Sequence, residues 1–112
     1  MKIYISGPIT NRSIGDAVAQ FCGMETKLSK AGHVPINPIR MQPYGLTWKT
    51  YMDIAKAILH SQEIEAVMML CGWRESHGAC LEWIWAQAAG IPIMYESASD
   101  AMEMRERESL GR

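Results

Sequence analysis

Ser76, Gly78 and Glu82 are the residues of this chain best placed to do chemistry. They lie in the stretch Cys71 to Glu82, which follows the apolar run Ala66 to Leu70 and precedes a helix-like run, Leu81 to Ala89. That puts them between a buried strand and a helix, where open α/β sheets bind ligands beyond the carboxyl ends of their strands. Ser76 suits a helix N-cap, beside backbone amides of the kind that hold an anion. Gly78 leaves room for a ligand there. Glu82, one turn further in, puts a carboxylate within reach of a molecule bound at the helix N-terminus. On spacing alone the plainer reading of Glu82 is a solvated first-turn glutamate favoured by the helix dipole. It lies at one edge of the expected apolar stripe Leu81, Ile84, Trp85 and Ala88.

A second candidate is the turn Gly7-Pro8-Ile9-Thr10-Asn11-Arg12. It fits neither GxxxxGK[ST] nor GxGxxG. A glycine directly after a strand still lets a ligand approach the backbone, and Thr10, Asn11 and Arg12 add donors. Trp73, Trp48, Tyr51 and Tyr4 could wall a flat ring, or could simply be core. His33, His60 and His77 show no metal-ligand spacing with one another or with cysteine, so no metal site is expected. No GxSxG supports a serine triad.

The elements that must position these residues alternate along the chain. Lys2 to Ser6 reads as a strand ended by Gly7-Pro8. Ile14 to Ala31 carries a helical stripe at Ile14, Ala17, Val18, Phe21, Cys22 and Leu28, stopped by Gly32. His33 to Ile36 is a short strand, and Pro35 places it near a sheet edge. Ile39 to Leu46 is a loop. Thr47 caps a second helix with Trp48, Tyr51, Ile54, Ala55, Ile58 and Leu59 on its apolar side. Glu65 to Leu70 is apolar on both faces, which predicts a central parallel strand. Ser76 or His77 opens the third helix and Gly90 ends it. Ile91 to Tyr95 is a fourth strand, and Ser97 to Arg107 a charged last helix that frays or packs on a partner. The alternation predicts an α/β fold: a three-layer flavodoxin/Rossmann-like sandwich, with a parallel sheet of four to five strands and helices on both faces. Residues 1–112 form one domain, with 97–112 as its frayed end.

The totals bound the partners. A net charge of -1 without a basic cluster argues against a nucleic-acid polymer. Cys22, Cys71 and Cys80 are scattered and form no CxxC, which reads as free thiols in a reducing cytoplasm. The N-terminus reads as a strand rather than a signal peptide. No apolar run approaches the roughly 18 residues that a bilayer span needs.

Several short segments together resemble the nucleoside 2-deoxyribosyltransferase-like superfamily. They are Lys2-Ile3-Tyr4-Ile5-Ser6-Gly7-Pro8-Ile9-Thr10, Ala31-Gly32-His33 with Asn37-Pro38, Trp48 with Tyr51-Met52, and Gly72-Trp73 followed by Ser76-x-Gly78-Ala79-x-x-Glu82. In detail the chain looks most like the small bacterial and phage branch of DUF4406 type, from residue 2 to about residue 95. The resemblance implies a flavodoxin-like sandwich acting on the N-glycosidic bond of a nucleoside or nucleoside 5'-monophosphate, by hydrolysis or by deoxyribosyl transfer. It puts the nucleophile on Glu82, the phosphate contact on Ser76, and a sugar-facing tyrosine on Tyr4. Backbone contacts fall on Gly7, Pro8, Ile9 and Thr10. Asn37, Trp48, Trp73 and Gly78 complete the expected substrate-binding set.

A carboxylate on the far face of an oxocarbenium-like centre stabilises or traps it, without metal or cofactor. The chain departs from the family pattern at the acid that should assist the leaving base. That place falls near Ala55 or Ala57. Asp53 serves if the helix shifts register; otherwise Glu75, His77 or substrate protonation fills the role, or catalysis is weak or lost. A binding module that holds a nucleotide without turnover is the alternative. The resemblance also implies a homodimer or larger assembly, with Met94 and Tyr95 where a neighbour contributes.

Overall fold

A computed structural model describes residues 1–110. The last two residues of the expected 1–112 domain, and so the end of the expected 97–112 segment, lie outside the described residues. The strands are β1 (Lys2–Ser6), β2 (Val34–Ile36), β3 (Ala66–Met69) and β4 (Ile93–Tyr95). The helices are α1 (Ile14–Lys30), α2 (Trp48–His60), α3 (His77–Ala88) and α4 (Ala98–Leu110). All strand pairs are parallel, in the order β2-β1-β3-β4. The fold is α/β, with one helical layer on each face of the sheet.

The period of two in β1 separates the two cores. Ile3 and Ile5 face α1 and pack with Ala17, Phe21, Met24 and Leu28. Tyr4 faces the opposite layer and packs with Ala55 and Leu59 of α2, Ala79 and Ala86 of α3, and Val67 and Met69 of β3. β2 is an edge strand, as Pro35 predicts, and β3 is central. Thr47 caps α2 by accepting from the Thr50 amide at 3.2 Å. The expected loop after β2 is instead a 3-10 helix over Pro38–Tyr44, capped by the Asn37 side chain on the Ile39 amide at 3.1 Å. Two prolines fix the backbone φ there and suit the tight turn.

Two expectations need correction. The stripe on α1 is narrower than its sequence suggests, because Ile14 and Val18 are exposed. The buried face of α3 is Ala79, Glu82 and Ala86, while Ile84 is 52% exposed. The expected stripe of Leu81, Ile84, Trp85 and Ala88 had put Glu82 at its edge; Glu82 is instead at the centre of the face turned to the sheet. The expected last helix is present as α4, and Arg74 in the segment after β3 pairs with its Glu103 at 2.8 Å and Asp100 at 3.5 Å. No helix among the described residues is long and apolar enough to cross a membrane.

Candidate functional site

Strand order reverses between β1 and β3: the chain leaves β1 for β2 on one side and returns on the other. Loops diverge at such a switch point and leave a crevice. Here the crevice is a cavity of about 270 Å³, at the small end for ligand sites. It lies between the β1–α1 loop, the 3-10 helix, the start of α2 and the start of α3. Tyr51 holds the 3-10 helix in place. Its hydroxyl donates to the Met41 carbonyl at 3.1 Å and accepts from the Leu46 amide at 2.9 Å.

Glu82 forms the polar floor. It is 7% exposed, and both carboxylate oxygens are engaged. Oε1 accepts from Ser6 Oγ at 2.7 Å, and Oε2 accepts from the Tyr4 hydroxyl. Tyr4 and Ser6 share a face of β1 because they are two residues apart. The strand therefore presents two hydroxyls in register with the two oxygens of one carboxylate. Burial raises the Glu82 pKa to about 7, and the Tyr4 and Ser6 hydrogen bonds hold the rise in check. Burial, together with the neighbouring Glu82 charge, pushes the Tyr4 phenol well above its ordinary value.

Gly7 and Gly78 make the approach possible. A Cβ on Gly7 would stand 2.8 Å from Leu70 Cβ, so the glycine lets the ends of β1 and β3 close together. A Cβ on Gly78 would meet Met52 Sδ at 3.2 Å, so here the glycine admits α2 against α3. At the mouth, the rings of Trp48 and His77 stack with centroids 5.3 Å apart. Behind the cavity, Arg12, Gln20 and Glu96 tie three loops together. Arg12 donates to the Pro8 carbonyl at 3.3 Å and to Gln20 Oε1 at 2.5 Å. Gln20 donates to Glu96 at 3.1 Å, and the Cys71 amide donates to the same carboxylate at 2.8 Å.

Of the residues expected at a site, the structure brings Tyr4, Gly7, Ile9, Thr10, Trp48, Ser76, Gly78 and Glu82 around one cavity. Ser76 also caps α3, accepting from the Ala79 amide at 3.2 Å. Four residues fall elsewhere. Trp73 is buried against Trp83 and Tyr95 in the core. Asn37 is spent on the 3-10 cap. Pro8 lines the neighbouring open groove with Arg12 and Glu75. Asp53 is exposed and paired with Lys49 at 2.8 Å, one turn away along α2. Met94 and Tyr95 point inward; Tyr95 accepts from Trp83 Nε1 at 2.9 Å. Ser6 is the residue that reading the sequence missed. Its signal was there: it follows Tyr4 by two residues at the end of the same strand. Among the described residues, no three His, Cys, Asp or Glu side chains cluster as metal ligands would.

No curated protein and no solved structure matches this chain. Residues 1–95 match the family model described as a domain of unknown function (DUF4406), and the chain belongs to that family.

Proposed function

We propose that the cavity binds a nucleoside or nucleoside 5'-monophosphate and breaks its N-glycosidic bond, with Glu82 as nucleophile. One observation carries this reading: a buried carboxylate at the floor of a cavity, with each oxygen held by a separate hydroxyl. A solvated surface glutamate needs no such cradle. The hydrogen bonds orient the carboxylate and favour its charged form. That is the form that attacks an anomeric carbon or stabilises an oxocarbenium-like state. The short segments that resemble the nucleoside 2-deoxyribosyltransferase-like superfamily support the substrate class. Hydrolysis and transfer share the glycosyl intermediate and differ in whether water or a second base reaches it. Any 5'-phosphate would sit at the opening of α3, where Ser76 and the first-turn amides lie.

A second reading is a nucleotide-binding module without turnover. The observation that favours it is the position of Asp53, which pairs with Lys49 outside the cavity. We also place the protein in the cytoplasm, supported by three free thiols. We place it in a homo-oligomer too, supported by exposed apolar side chains such as Ile84.

The test is to incubate the protein with deoxynucleosides and their 5'-monophosphates and to assay free base, with Glu82→Ala as control. Base release that disappears in the variant is the expected result. Release that survives Glu82→Ala sinks the mechanism, and tight binding without release favours the module.

A further inference from the structure

The cavity holds one carboxylate and very little else that ionises. Among its described lining residues there is no lysine, arginine or histidine, and Glu82 is the only carboxylate. The two tyrosines are committed. The Tyr4 hydroxyl donates a hydrogen bond to Glu82, and the Tyr51 hydroxyl is held by the Met41 carbonyl and the Leu46 amide. The other carboxylates near the site face away: Asp53 pairs with Lys49, and Glu75 lines the groove beyond Pro8 and Arg12. Nor can Glu82 supply the proton while it attacks C1', because attack needs its carboxylate form. The rest of the wall is uncharged: Phe21, Trp48, Met41 and Met52 give it aromatic and thioether surface, and Thr10, Gln42 and Ser76 give it neutral polar groups.

This composition selects a leaving group. When the bond from C1' to a neutral base breaks, its electron pair goes to the base nitrogen, and the resulting anion needs a proton. The cavity wall has no acidic side chain free to give one, and His77, stacked on Trp48, stands at the mouth rather than in the lining. When the base already carries a fixed positive charge, the same electron pair neutralises it, and the base leaves uncharged. A positive ring is also the partner that this lining favours. It is drawn to a carboxylate in a low-dielectric pocket and to aromatic walls, with no cation in the lining to repel it.

We propose that the ligand of this cavity is a nucleoside whose base is a cationic heterocycle, such as a pyridinium or an N-alkylated purine. The proposal rests on the glycosidic reading above and narrows it. In the first step a Glu82 oxygen bonds to C1', the C1'–N bond breaks, and its electron pair returns to the ring, which leaves neutral. In the second step a water oxygen bonds to C1', the C1'–O bond to Glu82 breaks, Glu82 regains its carboxylate, and one proton from water passes to solvent. The net change converts a cationic nucleoside and water into a free sugar, a neutral base and a proton.

The experiment compares two ligands that differ in ring charge and little else: nicotinamide riboside, a pyridinium, and its uncharged dihydro form. Binding is measured by calorimetry at about pH 8, above the Glu82 titration. Release of nicotinamide from the riboside is followed in parallel. Wild-type protein is expected to bind the cation at least about tenfold more tightly and to release nicotinamide. Glu82→Gln is expected to lose both the preference and the release. Equal or tighter binding of the uncharged form overturns the proposal, and that comparison needs only the wild type. If guanosine is also hydrolysed as efficiently as the riboside, each relative to its uncatalysed rate, the cationic preference falls while Glu82 as nucleophile stands. Charge-selective binding without base release leaves the ligand class standing and removes the glycosidase reading.

Discussion

The two faces of β1 are built on opposite terms. One face carries Ile3 and Ile5, sealed against α1 in a wholly apolar core. The other carries Tyr4 and Ser6, and ends on the buried carboxylate of Glu82. The strand backbone is common to both, so the difference lies in the side chains alone. Burying Ile3 and Ile5 stabilises the fold, at roughly 1.5–3 kcal/mol for each fully buried side chain. Burying Glu82 works against it, because a carboxylate removed from water costs free energy that hydrogen bonds only partly offset. A protein keeps such a cost where a function needs it.

The comparison can be broken most directly at Glu82. Glu82→Gln keeps the shape and removes the charge. Base release is expected to fall by at least about 10³-fold, while the melting temperature at neutral pH holds or rises. A variant that loses its fold along with its activity would make Glu82 a structural residue. On the opposite face, Ile5→Ala is expected to cost about 2–5 kcal/mol in denaturant unfolding. Ligand affinity of the folded protein should be unchanged. A large loss of affinity there would show that the two faces are not separable.

The pH response sharpens the same contrast. The folded-state pKa of Glu82 stands at about 7, above its ordinary 4.5. Its proton is therefore held more tightly in the folded chain, and the associated stability is fully present below about pH 4.5. It is lost as the pH rises through about 7. The loss is on the order of 3 kcal/mol, since each pH unit between those two values is worth about 1.4 kcal/mol. Activity should run the opposite way, rising through the same window as the carboxylate forms. Unfolding curves of wild type and Glu82→Gln between those limits test this, because the variant should lack the slope. Tyr4→Phe removes one hydroxyl from Glu82 and should cost about 1 kcal/mol. It should also move the activity profile to higher pH. The smallest effect is expected at Asp53→Asn. A solvent-exposed pair of this kind contributes little to stability, and base release should not change. A marked loss of release would return Asp53 to the mechanism.

Much of this arrangement was legible in the sequence. Alternating patterns and turn residues located the strands and helices, and Pro35 put β2 at the edge. Ser76, Gly78 and the Gly7 loop were found because glycines and caps have local causes. The orientation of α3 was not legible, because apolar periodicity assumes that the buried face is the apolar one. On α3 the buried face contains a charge, satisfied by two hydroxyls more than 70 residues away in sequence. Ser6 was missed for the same reason: its partner is remote. Trp73 and Asn37 show the converse. Their residue types suited a ligand, but tertiary packing put Trp73 in the core, and a local cap on the Ile39 amide took Asn37.

Pro35 has a consequence beyond marking an edge. The Val34 amide donates to the Met1 carbonyl at 2.8 Å, so it points toward β1. Donors alternate along a strand, which turns the position of Pro35 toward the open side. There proline has no N–H to offer. The free rim of the sheet thus lacks its central donor, and a strand from another chain arriving there finds a broken ladder. Whatever copies of this protein do to one another, they are barred from growing the sheet outward past β2.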